Sequence, residues 1–132
     1  MKILPLHSKC ALLALCLLLL SAGNVHAAEI SAGIPATAIG VGDSFIVPIT
    51  LNTMGENINA LEGDVWYPRQ LLTLREIRDG NSILNLWVER PADINGVIHF
   101  SGITPGGFAG ASGEILSLVF EARSSGSAVV SF

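Results

Sequence analysis

From residue 29 onward, apolar and polar residues alternate in short runs, each closed by Gly, Asn, Asp or Pro. A period of two puts successive side chains on opposite faces of an extended strand. Glu29–Gly33 opens the series. Ala36–Ile39 is an extension past Pro35, where proline points to an edge or a break. Ser44–Leu51 places Phe45, Val47, Ile49 and Leu51 on one face, with Pro48 on the other. In Ala60–Tyr67, Leu61, Gly63, Val65 and Tyr67 share one face, and Ala60, Glu62, Asp64 and Trp66 share the opposite one. Leu71–Arg78 follows, then a loop holding Ile83-Leu84 and Leu86-Trp87.

Val97–Ser101 is read as a hairpin partner, Ile98 and Phe100 facing inward and Val97, His99 and Ser101 outward. Glu114–Ala122 is assigned Leu116, Leu118, Phe120 and Ala122 inward, with Ile115, Ser117, Val119 and Glu121 outward. Ser127–Phe132 reads as a last apolar strand. The chain stops on a core-type Phe132 with no polar tail, which raises the expectation that the C-terminal end of the domain is incomplete. Turn residues recur at Gly42-Asp43, Asn52–Asn57, Asp79-Gly80-Asn81, Asn95-Gly96 and Ser124–Ser127. Short strands at such spacing, with no heptad, repeat or amphipathic helix, predict an all-β, two-sheet sandwich.

The first residues change the picture of what folds. Lys2 and Lys9 precede the apolar run Ala11–Leu20, and Val25-His26-Ala27 follows with a small residue at its end. Those three parts describe a secretory signal peptide over residues 1–27, and the run is short for a membrane span of roughly 20 residues. The expected domain is then 28–132. Both cysteines, Cys10 and Cys16, fall in the leader, so an exported domain would rest on its core without disulfides. Past residue 27, five arginines stand against 11 acidic residues, a net charge of −6 with no lysine. That balance excludes a nucleic-acid binder, which needs clustered cations, and disfavours an anionic membrane surface.

The ordered segments VGDSFIVPITLNT, INALEGDVWYPRQLLTL, SILNLWVERP, GVIHFSGITPGGFAG, GEILSLVFEA and SGSAVVSF resemble the cohesin domain family, in its exported, non-cellulosomal bacterial form. The resemblance runs from about Ser31 to Phe132 and rests on the order of the segments, since none is a sharp signature alone. It implies a nine-stranded jelly-roll sandwich, similar also to carbohydrate-binding modules. It further implies a docking face centred on the third, fifth and sixth strands. The implied partner is a dockerin, an extracellular protein that carries the calcium itself, so no cofactor is expected on this chain. Glu62 falls where the family often places a dockerin-contacting acid. Ala60 stands where a contacting Asn is common, and Tyr67-Pro68-Arg69 lacks the Asp of the family's aromatic-Asp-Pro turn.

The candidate partner-binding face is therefore Ala60, Glu62, Asp64, Trp66, Val97, His99 and Ser101. Glu62 and Asp64 are roughly 6.5–7 Å apart along one strand. An open strand does not enclose a sugar between two carboxylates as a glycosidase does. His99 is the single histidine past residue 27. It has no GxSxG serine to serve and no companion ligands for zinc. Asp79-Gly80-Asn81-Ser82 and Asp93-Ile94-Asn95-Gly96 lack the bidentate Glu of an EF-hand and read as turns. Thr104–Gly113 reads as a flexible end loop, with Phe108 as a contact or a lid over the core.

These readings predict a non-catalytic module, secreted or at the surface of a bacterium. It would dock a dockerin-like protein, in polysaccharide-degrading or cell-surface assemblies. Carbohydrate binding or adhesion on the same scaffold is the alternative, with Trp66 and Trp87 as the stacking residues. Trp66 is expected either to stand exposed or to be covered by the Leu86-Trp87 loop.

Overall fold

A computed structural model describes residues 27–132. The leader reading of residues 1–27 falls outside these residues except at its last position. Seven strands form: β1 Glu29–Ala32, β2 Ser44–Asn52, β3 Ile58–Trp66, β4 Leu72–Arg78, β5 Leu86–Ile94, β6 Val97–Phe108 and β7 Gly113–Ala122. They pair antiparallel throughout, in a four-stranded sheet of order β1-β2-β7-β4 and a three-stranded sheet of order β3-β6-β5. The all-β, two-sheet reading holds. The resemblance implied nine strands, and the described residues contain these seven.

Each strand turns its apolar set toward the other sheet. Val47, Ile49 and Leu51 on β2 and Leu116, Leu118 and Phe120 on β7 meet Val65 on β3 and Ile98 and Phe100 on β6, all almost fully buried. Tyr67, just past β3, reaches across to Phe120 with ring centroids 5.0 Å apart. Burying a side chain of this size is worth about 1.5–3 kcal/mol, so the stripe holds the two layers together. Pro48 sits harmlessly inside β2. Its carbonyl accepts from the Gly33 amide at 2.8 Å, just where β1 ends, so the missing N–H faces the place where that strand leaves the sheet.

Several local expectations are corrected. Ala36–Ile39 is not a strand: after Pro35 the chain bends at Ala36-Thr37 and its pairing with β2 has ended. The segment read as a Leu-Trp loop is strand β5. Its Pro91 is accommodated because β5 lies at the sheet edge and its register with β6 shifts between Glu89 and Ala92. Thr104–Gly113 is not one loop, because β6 continues to Phe108. Between the pairs Ala60↔Ile103 and Ile58↔Phe108 only Asn59 opposes residues 104–107, a wide irregularity made possible by positive φ at Gly106 and Gly107. Phe108 is the lid: its ring packs on the core against Gly113, where a Cβ would stand 2.5 Å away.

On β7, strict alternation predicts Ile115 outward, and it is fully buried. Ile49 pairs with Leu116 but Thr50 pairs with Glu114, so Ile115 is the extra residue of a β-bulge. The bulge reverses the alternation, and Ile115 and Leu116 both enter the core. Ser117 keeps the outward side, in a groove with Ile46 and Glu76, yet is buried there, its hydroxyl 3.0 Å from Glu114 Oε1. Ser127–Phe132 is not a strand. It touches the sheet at one bridge, where Trp66 and Ser131 exchange backbone hydrogen bonds of 2.9 and 3.1 Å along the free edge of β3.

Candidate partner-binding face

The face is set by what lies beneath it. On β3 the inward positions are Leu61, Gly63 and Val65, with Val65 fully buried and Leu61 packed on the core. The pleat then sends Ala60, Glu62, Asp64 and Trp66 to the opposite side, and all four are exposed. On β6, buried Ile98 and Phe100 do the same for Val97, His99 and Ser101, which are half-buried. Register brings the two rows together. Glu62 pairs with Ser101, Asp64 with His99 and Trp66 with Val97. The seven residues expected to share a face therefore form one contiguous patch, and Ala60 pairs with Ile103 at its end.

The third, fifth and sixth strands named by the resemblance are the three strands of this sheet. Strand β5 adds residues to this face that a loop would not place there. Glu89 pairs with Ser101, Ala92 with His99, and Ile94 with Val97. Val88 and Ile94 are 68% and 66% exposed. A shallow depression runs between Ala60, Glu62, Val88, Ser101 and Ile103. Period-two alternation in LWVERPADI was the available signal, interrupted by Pro91 and by register shifts between Trp87 and Glu89 and between Glu89 and Ala92.

Trp66 is 51% exposed. The Leu86-Trp87 segment does not cover it: Leu86 and Trp87 pair with Ile103 and Gly102, near the middle of β6 and away from Val97, the partner of Trp66. That separation is roughly 17 Å along the strand. Trp87 itself is packed against the core and is not a surface platform.

His99 bridges all three strands. Its Nδ1 is 2.7 Å from Asp64 Oδ1 on β3, and its Nε2 is 2.6 Å from Glu89 Oε2 on β5. Hydrogen bonding to Asp64 is the largest cause holding its pKa above the ordinary histidine value; partial desolvation opposes this, and the charges of Asp64 and Glu89 add to it. Asp64 and Glu89 thus both face a histidine, and no group of three or more His, Cys, Asp or Glu among the described residues is arranged to hold a metal ion.

One end of the sheet is closed by the Asn95-Gly96 turn. Both residues have positive φ, 56° and 89°, as a two-residue type I′ hairpin requires. Asp93 serves that turn: Oδ1 accepts from the Gly96 amide at 2.9 Å and Oδ2 from the Tyr67 hydroxyl at 3.0 Å. Asp79 likewise accepts the Ser82 amide through its carbonyl and faces Arg90 with its carboxylate. The Asp79–Ser82 segment is a turn, as read from the sequence; of Asp93–Gly96 only Asn95-Gly96 is, because β5 runs through Asp93 and Ile94.

No protein-family model matches the chain, and no curated protein matches it significantly. Solved structures do. A non-cellulosomal cohesin from the hyperthermophilic archaeon Archaeoglobus fulgidus is similar with a TM-score of 0.59 at 17% identity, over 74% of this chain and 67% of that one. The sixth cohesin of Acetivibrio cellulolyticus scaffoldin B, solved in complex with a mutant Cel5 dockerin, gives 0.61 at 19% identity, over 80% and 81%. The solution structure of CaCohA2 from Clostridium acetobutylicum gives 0.59 at 15% identity, over 80% and 75%. The fold of this chain is the cohesin fold.

Proposed function

We propose that this chain is a non-catalytic, cohesin-type binding module that docks a dockerin-like protein on the outer face of β3, β6 and β5. The observation that carries the reading is the patch itself. Exposed Trp66 and Ile94 flank Val97 at one end of the face, exposed Val88 stands farther along it, and polar residues of β3, β6 and β5 lie beside them. A large aromatic among apolar neighbours with polar groups around it is the composition of an interface centre. A scaffoldin cohesin of the same fold was solved with a dockerin bound, which supports this class of partner. Calcium belongs to the partner in this reading.

The leader over residues 1–27 supports export, with the domain acting outside a bacterial cell or on its surface, in polysaccharide-degrading or adhesive assemblies. Carbohydrate binding is the second reading, favoured by the exposure of Trp66 alone, since Trp87 lies against the core. Titration calorimetry of the folded chain against a panel of calcium-loaded dockerins tests the first reading. Sub-micromolar binding that disappears with chelator supports it. Silence across the panel, with retention on cellulose, chitin or xylan lost in Trp66→Ala, moves the assignment to the second.

A further inference from the structure

Two carboxylates grip opposite nitrogens of one imidazole at the middle of the face. Both carboxylates accept hydrogen bonds when ionised, and a neutral imidazole has a single N–H to offer. The contacts of 2.7 Å to Asp64 and 2.6 Å to Glu89 are satisfied together only by the imidazolium. After loss of one proton to solvent, one carboxylate faces a nitrogen lone pair. Glu89 is the more exposed partner, its side chain 61% accessible against 46% for Asp64. The Nδ1–H therefore stays with Asp64, and Glu89 turns out to water.

The other groups around His99 do not replace the lost charge. Glu62 shares the β3 face two residues from Asp64, and Val97 and Ser101 flank His99 on β6. Ala92 opposes it on β5, where Arg90 is drawn instead to Asp79 at 3.7 Å. Arg75 and Arg78 belong to β4 in the other sheet and pair with Glu121 and Glu76. The two charged side chains in contact with His99 are both acids.

We propose that His99 is a pH switch of this docking face: protonated, it clamps Asp64 and Glu89; deprotonated, it releases Glu89, leaving the face one charge more negative and receptive to arginine-bearing partner surfaces. The inference rests on the docking reading for its biological use, and the switch itself is measurable without any dockerin. The hydrogen bond to Asp64 raises the His99 pKa from the ordinary histidine value, which moves the transition upward.

The test uses the assigned His99 side-chain resonances of the full chain. Both ring nitrogens carry protons at pH 5.5, and the midpoint lies above 6.5. Amide shifts then report binding of a tetra-arginine peptide at pH 5.5 and pH 8.5. Perturbations centred on Glu62, Asp64 and Glu89 should show about three- to fivefold tighter binding at pH 8.5, the effect of one charge at contact distance in water. His99→Gln should abolish the difference. A midpoint at or below 6.5, a singly protonated ring at pH 5.5, or equal peptide affinities overturns the switch. Dockerin binding with a flat peptide profile removes the switch and keeps the docking reading; the converse pattern removes the docking reading alone.

Discussion

The ring of Phe100 on β6 lies against the α-carbon of Gly63 on β3, so close that a Cβ at Gly63 would stand 3.1 Å from the ring's Cζ. The two are cross-strand partners. Phe100 is almost fully buried and supplies the volume that Gly63 leaves free, and their fit fixes which side chains of both strands face out. Gly63→Val should cost about 1–3 kcal/mol by overpacking, read as a lowered midpoint in urea unfolding. Gly63→Ala should cost less, since the ring then needs to move only slightly.

The bulge on β7 gives a second prediction. Ile115 is fully buried and Val119 is half-buried, although strict alternation puts them on one face. Ile115→Ala should destabilise by about 2–5 kcal/mol, and Val119→Ala by clearly less. Comparable small losses at both positions would show that Ile115 does not enter the core.

Tyr67 is the single tyrosine, so its titration is read directly from absorbance near 295 nm. Burial first, then the hydrogen bond to Asp93 and the charge of Asp93, push its pKa up to about 12. The neutral phenol is therefore favoured in the folded state. Its stabilising contribution is complete below the unfolded value near 10 and is lost as pH rises through about 12. Tyr67→Phe should remove that alkaline dependence and cost about 1 kcal/mol at neutral pH. A phenolate midpoint near 10 in the folded chain would contradict the contact.

His99 follows the same sign at lower pH. Its folded pKa is raised, so its contribution is fully present below about 6.5 and fades as pH climbs through the higher folded value. Denaturation midpoints measured from pH 5 to 9 should decline more in the wild type than in His99→Gln. Parallel curves would mean that the ion pairs hold nothing in the folded state.

The face on β3 and β6 was legible because Val65, Ile98 and Phe100 alternate cleanly with polar residues and need no knowledge of the other sheet. Strand β5 was hidden by Pro91, which reads as a break until its strand is known to be an edge. With it went Glu89, the second partner of His99, since a cross-strand pair depends on register. Ile115 was misplaced because a bulge is a property of two strands together, and Ser127–Phe132 because apolar residues alone do not make a ladder.

The docking account stands on the outward row of β3, and binding by a double mutant there tests it most directly. Glu62→Ala with Trp66→Ala leaves the core untouched, since both side chains are exposed. Against a calcium-loaded dockerin that binds the wild type, the double mutant should lose about 2 kcal/mol or more, the loss expected of interface hot spots. A correctly folded double mutant with unchanged affinity would place the binding surface elsewhere on the domain.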